Sequence, residues 1–377
     1  NQWAVSRAGT AEKAWELLRA EAFAAVVAES QLPDLAGAAF LDKVMASHPH
    51  VIRILRFPLS DSSDDLQGVG QTHHLLREPC DAATLRGLLE KIEASQPWMS
   101  NPALPGLLGR MRQVPSPPSL YFQVVDAMTS GKASLDQVGE LIARDPTATA
   151  KLLHLANSAA FALRCEVTHP AEALNYLGFE ATKTLLLIVH SHAFFESVPA
   201  VRAYLEPFWE HAQRVGRMAR EVARAETNDL EAGNQAFTAG LLHDFGKLLF
   251  AANMPQEYGL LLEQAQPQPY PLWEIEEETF GASHAELGAC LLGIWNLPAP
   301  IVEAVAWHHY PRQIARRPAA FSPLTAVHVA NVFEHEQRPG SAEYFPPAVD
   351  LQYLEGLGCA ERVSEWRQCC PAQAVEV

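Results

Sequence analysis

Six prolines (Pro97, Pro102, Pro105, Pro115, Pro117 and Pro118) fall between Gln96 and Ser119. Each fixes φ and lacks a backbone N–H, so no long helix or central strand runs through the segment. The 377-residue chain, too long for one ordinary core, must fold on either side of it. Ahead of the prolines, Trp3–Val5, Ala24–Ala28, Val51–Leu55 and His74–Leu76 read as strands, and Ala11–Ala22, Gly37–Ser47 and Ala82–Ala94 as helices. That alternation predicts a parallel sheet flanked by helices. After the prolines, Leu120 to about Asn331 shows a 3.6-residue period almost throughout. Ser134 and the pair Asp145-Pro146 stand where helices should start. The expected architecture is multidomain, α/β plus all-α. Residues 1–95 form the α/β unit, 96–119 a linker, 120–335 a helical domain, and 336–377 a polar loop (Gln337–Pro347) with a short helical tail.

The formal charge of -16 opposes phosphate backbones and no basic cluster offsets it, which argues against direct nucleic-acid binding. No apolar run approaches the roughly 18 residues of a membrane helix; the best, Leu185–Phe195, is broken by His190, Ser191 and His192. Six scattered cysteines (Cys80, Cys165, Cys290, Cys359, Cys369 and Cys370) form no CxxC pair, as expected of a reducing cytoplasm. The first residue is Asn1 rather than methionine, so the chain is expected to start inside a larger gene product.

The run Val26-Val-Ala-Glu-Ser-Gln-Leu-Pro-Asp-Leu-Ala-Gly37 resembles a strand, phosphoacceptor loop and helix start of response-regulator receiver domains. The resemblance implies a flavodoxin-like unit, incomplete at its N-terminus and lacking the first strand with its magnesium-binding acidic pair. It places Glu29 at the phosphoacceptor position, Phe57 at the usual Ser/Thr and Glu78 at the usual lysine. Aspartyl phosphorylation is not expected of such a set. Glu29 either mimics the phosphorylated state or belongs to a structural adaptor.

In the helical half, the apolar run Ala239-Gly-Leu-Leu-His-Asp-Phe-Gly-Lys247 sets an imidazole beside a carboxylate. Buried groups of that kind need partners, and a divalent ion satisfies both. Adjacent helical residues differ by about 100°, so His243 and Asp244 can reach one ion. His308-His309 repeats the pairing, and His211 and His284 could complete one or two shells. Any one of these histidines alone is more often a hydrogen-bonded core or surface residue. The chain has fifteen, and His154, His169, His190 and His192 lie outside any candidate site.

From Leu120 to about Trp307 the chain closely resembles the HDOD (HD-related output) domain, whose fold is akin to HD-type phosphohydrolases. The resemblance rests on Leu141–Ser158, Ala173–Phe179, Trp209–Ala212, Ala239–Lys247 and His284–Ala289. It implies His211, His243, Asp244, His284, His308 and His309 as metal ligands for Fe, Mn or Zn, one or two ions. Lys247 takes the position of a lysine that contacts substrate phosphate. The closing aspartate falls on Asn331, a weaker ligand, and Tyr310-Pro311 follows His309 where HD-GYP cyclic-di-GMP phosphodiesterases carry their GYP loop.

Three functions follow as expectations. The first is a cytoplasmic signal-transduction protein whose HDOD domain acts as a regulatory, protein-interaction module, without a required metal, alone or as a homodimer. The second is a metal-dependent phosphohydrolase acting on a cyclic dinucleotide or nucleotide, with Asp244 and Lys247 catalytic. The third is a metal or nucleotide sensor without turnover.

Overall fold

A computed structural model describes residues 4–48, 51–57, 74–77, 80, 83, 85–87, 89–90, 101–115, 117–129, 133–157, 167–265, 270–295, 297–314, 320–338 and 348–370. Among the described residues the N-terminal part holds three parallel strands, β1 (Ala25–Glu29), β2 (Ile52–Phe57) and β3 (His74–Arg77), in the order β1-β2-β3. Ala25 stands opposite Ile52, Glu29 opposite Arg56, and Ile54 opposite His74. The helices Ala11–Ala20 and Gly37–Ser47 form as expected, and the described residues between 83 and 90 are helical. The Asp34 carboxylate accepts from the backbone N–H groups of Ala11 and Glu12 at 2.8 and 3.0 Å. Those bonds lower its pKa and fasten the loop after β1 to the first helix.

One expected strand does not form among the described residues. Ala4 and Val5 are not in a strand, Val5 is 75% exposed, and Trp3 lies outside the described residues. A run of three residues closes too few ladder bonds to hold itself against water without a buried face.

Period-two alternation along β2 decides how the sheet is buried. Leu55 packs with Phe40, Leu41 and Val44 under the first helices, whereas Ile52 and Ile54, with Leu76 of β3, belong to the large helical core. The stretch expected to be a linker joins that core too. Its helix Leu104–Arg110 buries Leu104, Leu107 and Leu108, with Met111 just beyond. Asn101 donates to the Gly281 carbonyl at 2.9 Å and contacts Glu286, and Asn253 Oδ1 accepts from the backbone of Arg112 and Gln113. The prolines stop a long helix but leave room for a strap.

The helical body is built around the helix Arg202–Thr227, which packs on Leu230–Leu242 and Pro323–Gln337. A Cβ on Gly240 would lie 2.6 Å from the Gly216 Cα, so two glycines allow these backbones to touch. Helices Phe245–Asn253, His284–Ile294 and Ala299–Trp307 close the bundle. Ser134 caps Leu135–Ala143 in a reciprocal capping box, and Asp145 caps Pro146–Ala156. The tail holds the helices Leu351–Gly356 and Val363–Cys369. Residues 339–347 of the expected loop, with Cys165 and Glu78, lie outside the described residues; the five described cysteines are free thiols. No helix among the described residues is long and apolar enough to cross a membrane.

Candidate metal centre

The His-Asp dipeptide sits at a break between helices, not within one as the sequence reading has it. His243 caps the C-terminus of Leu230–Leu242, and Asp244 (φ -99°, ψ 8°) precedes the first turn of Phe245–Asn253. His308 likewise caps Ala299–Trp307, with His309 beyond it. Helix ends suit this task because neighbouring side chains there are not bound to the 100° divergence of a continuous helix. His211 comes from the middle of the long helix and His284 opens its own, behind the Ser283 capping box.

All six residues predicted as ligands meet at the Asp244 carboxylate. Oδ1 lies 3.1 Å from His284 Nε2 and 3.7 Å from His308 Nε2. Oδ2 lies 3.3 Å from His243 Nε2 and 3.5 Å from His211 Nε2. His309 Nε2 is 3.0 Å from His284 Nε2, and its ring stacks on Trp273 at 3.8 Å between centroids. Lys247 Nζ donates to Asp244 Oδ2 at 2.8 Å.

Four imidazoles are locked by the nitrogen facing away from Asp244. His243 Nδ1 donates to the Gly240 carbonyl at 2.7 Å and His308 Nδ1 to the Val305 carbonyl at 2.8 Å. His211 Nδ1 is 2.8 Å from Glu334 Oε2 and His284 Nδ1 is 2.6 Å from Glu276 Oε2. Spending Nδ1–H on an outward acceptor fixes the tautomer and turns the Nε2 lone pair inward, as metal-ligating histidines require. His308 Nε2 and Asn331 Oδ1 are buried without a hydrogen-bond partner. Two nitrogens held about 2.1 Å from one ion at right angles lie about 3.0 Å apart, close to the 3.0 and 3.2 Å of the His284–His309 and His211–His243 pairs. The donor set therefore fits a divalent transition ion.

The charges follow from these contacts. Burial alone would raise the Asp244 carboxyl, yet His243 and Lys247 beside it hold it well below the usual carboxylate range. Burial, with His243 close by, keeps His308 far below an ordinary histidine. Burial opposes charge on His284 as well, but Glu276 prevails and lifts it to about 9. Glu334, despite its burial, is drawn down to about 2 by His211 and Arg214, whose Nε is 2.7 Å from Oε1.

Two expectations arise here. A metal-free His284 near 9 carries a proton at neutral pH, and an ion must displace it. Affinity for Mn2+ should therefore rise about tenfold per pH unit towards 9 and then level off. Calorimetry between pH 6.5 and 9 measures this, and a flat profile would remove His284 from the ligand set. Glu276, which also accepts from the His284 backbone N–H at 2.7 Å and from Tyr258, orients that ring. Glu276→Gln is expected to weaken metal binding about 10- to 100-fold with Asp244 untouched.

Glu276, Glu334, His335 and His328 were not legible as site residues. His335 groups with His211 and Glu334, and His328 Nδ1 donates to the His308 carbonyl at 2.8 Å, steadying that turn. The one available signal was a polar residue every third position of an otherwise apolar helix: Thr325, His328, Asn331 and Glu334. Asn331 is buried on that helix. Glu29 lies elsewhere, at the C-terminal end of β1, 3.0 Å from Arg56 in a half-exposed ion pair. His169 caps a helix and His192 contacts Lys151 and Glu196, so those histidines have other work.

The HDOD domain family matches residues 114–311, more than half of the chain. Among solved structures, an HDOD domain protein of unknown function from Geobacter sulfurreducens is similar at TM-score 0.52 and 20% identity, over 75% of this chain and 98% of that one. A candidate phosphohydrolase from Shewanella amazonensis SB2B is similar at 0.50 and 21%, over 72% and 97%. A candidate signal transduction protein from Marinobacter aquaeolei VT8 is similar at 0.51 and 17%, over 81% and 71%. At such identities the likeness is one of fold. The chain spans 41% and 38% of the length of two curated relatives, each 28% identical to it.

Proposed function

The chain belongs to the HDOD family, and from that premise we propose that it is a metal-dependent phosphohydrolase of the HD type. The observation that carries this reading is the convergence of five imidazoles on one buried carboxylate, four of them with Nδ1 engaged outward. A purely structural polar network has no need to turn that many lone pairs towards one point, because buried polar groups are stable only when paired.

His211, His243, Asp244, His284, His308 and His309 would hold the ion, which supplies Lewis acidity towards a phosphoryl oxygen. The residues around it do the rest. Glu276 and Glu334 hold their histidines in the required tautomer. Trp273 covers the His309 ring and keeps water from that side. Lys247 and His211 have side chains 17% and 15% exposed, against 2% or less for Asp244, His243, His284 and His308, so a substrate phosphate approaches from their side. Lys247 can there neutralise phosphate charge. Substrates of this class are nucleotides and cyclic dinucleotides. Purified protein loaded with Mn2+ or Fe2+ should hydrolyse one of them or a generic phosphodiester, and lose that turnover in His284→Gln. Metal loading without turnover across such a panel would favour a sensor.

A regulatory output rests on a separate observation. Burial lowers His74 of β3 to about 4, with the Ile294 backbone as its hydrogen-bonding neighbour, and Ile294 ends the helix that His284 begins. The N-terminal sheet thus touches the element that carries a ligand. We read that part as a receiver-like adaptor that is not phosphorylated: its parallel order and Glu29 at the strand's C-terminal end support the reading. Its partners would be other signalling proteins of the cytoplasm or a second copy of the chain.

A further inference from the structure

The turn that leads His284 into the centre is held from the N-terminal half of the chain. The helix Leu272–Phe280 bears Glu276 and ends at Gly281, whose φ of 82° is left-handed; Ser283 then caps His284–Ile294. Three residues, Gly281 to Ser283, thus join the helix of the carboxylate to the helix of the ring it orients. Asn101 is fastened to this turn. Its Nδ2 donates to the Gly281 carbonyl at 2.9 Å and lies 3.1 and 3.2 Å from the two oxygens of Glu286, the carboxylate that completes the Ser283 capping box. Its Oδ1 accepts from the Ala103 N–H at 2.9 Å. A Cβ on Gly281 would lie 2.9 Å from the Ala103 Cβ, so strap and turn touch there. The far end of the same helix meets the sheet. His74 of β3, buried, hydrogen-bonds the Ile294 backbone, and Ile52, Ile54 and Leu76 share a core with Ile294.

Resting on the metal-centre reading above, we propose that Asn101 and His74 are positioning residues for the centre: the N-terminal half grips the helix His284–Ile294 at both ends, and metal affinity depends on that grip. Two contacts carry a displacement of this helix into the site. A Cβ on Gly246 would lie 2.0 Å from the His284 carbonyl oxygen, and Gly246 follows Asp244 by two residues, so a shift of the helix changes the spacing of the His284 ring and the Asp244 carboxylate. The His284 N–H and Nδ1 both meet Glu276 Oε2, at 2.7 and 2.6 Å, so slack in the Gly281 turn loosens the ring as well as the backbone. Packed cores move between discrete arrangements rather than deforming continuously, which makes such a grip a means of control. Linkage makes the coupling reciprocal. A signalling partner that draws the N-terminal half away weakens metal binding, and bound metal tightens the strap.

The test is calorimetric titration of the full chain with Mn2+, alongside urea unfolding and hydrogen exchange, and it needs no turnover. Asn101→Ala should weaken Mn2+ binding about three- to tenfold. Asn101→Asp, which keeps the bond to Ala103 but sets a carboxylate against Glu286, should weaken it further. Asn253→Ala, which releases the strap at Arg112 and Gln113 instead, should change it less than about twofold. His74→Leu deletes a buried ring whose Nε2 has no hydrogen-bond partner, so stability should hold or rise while Mn2+ affinity falls about threefold; a merely structural residue would move both together. Bound Mn2+ should slow exchange in Leu104–Arg110 of the parent chain and not of Asp244→Asn. No Mn2+ in the parent chain overturns the metal-centre reading itself, and this inference with it. Mn2+ bound by the Asn101 and His74 variants as tightly as by the parent, with exchange in Leu104–Arg110 unmoved, overturns this inference alone. So does an equal loss in Asn101→Ala and Asn253→Ala.

Discussion

Asp244→Asn is expected to abolish tight metal binding and all hydrolytic turnover while leaving the helical body folded. The carboxylate is the one group within 3.7 Å of four imidazole nitrogens, and it carries the only negative charge among the proposed ligands. Asparagine keeps its shape but loses that charge, and one of its two polar atoms becomes an N–H donor pointed at imidazole nitrogens. Loss of metal affinity should exceed about 100-fold, beyond what removal of an outer hydrogen-bond partner causes. Stability should change much less. The removed charge is itself buried and therefore costly to keep, and Lys247, 17% exposed at its side chain, can turn its ammonium to water. A shift in unfolding free energy of about 2 kcal/mol or less is expected, well inside the usual range for point substitutions. Elemental analysis after dialysis measures the first effect and urea unfolding the second. Undiminished metal in the variant would place the ion elsewhere.

Gly246→Ala is expected to cost much stability for a single added methyl group. A Cβ at Gly246 would lie 2.0 Å from the His284 carbonyl oxygen and 2.7 Å from its carbon, both rigid backbone atoms. Neither atom can rotate away, so the helices Phe245–Asn253 and His284–Ile294 must part. Overpacking a close helix contact costs about 1–3 kcal/mol, and more where backbone must move; about 3 kcal/mol is expected here. The shift also carries His284 away from Asp244, so metal affinity should fall with stability. An intrinsic-propensity argument predicts the opposite, since alanine favours a helix over glycine by about 1 kcal/mol. Denaturant midpoints therefore decide between the two: a stabilised variant would mean that the helices do not approach as closely as this.

The helical half was largely legible because its signals are local. Ser134, Asp145 and the 3.6-residue period each act within a few residues, and the helices appeared where they pointed. Gly37–Ser47 formed over the predicted span, and three of the four predicted strands formed. Of the run Trp3–Val5, the described Ala4 and Val5 are not in a strand, because a strand depends on a neighbour that the run itself does not encode. The prolines of 96–119 announced an interruption correctly, but they could not reveal that Leu104, Leu107 and Met111 would be buried in the helical core.

By itself the sequence named the residues that come together: the motifs around His211, His243-Asp244, His284 and His308-His309 are specific, and the structure gathers them at one carboxylate. The tertiary structure decided the geometry between them. It put both paired motifs at helix ends, set Lys247 on Asp244 Oδ2, and brought Glu276 and Glu334 behind two of the rings. Helix starts and ligand types follow from short-range chemistry. The partners of a buried ring are set by which helices cross, and that depends on contacts such as Gly216 against Gly240 and Gly246 against His284, residues far apart along the chain.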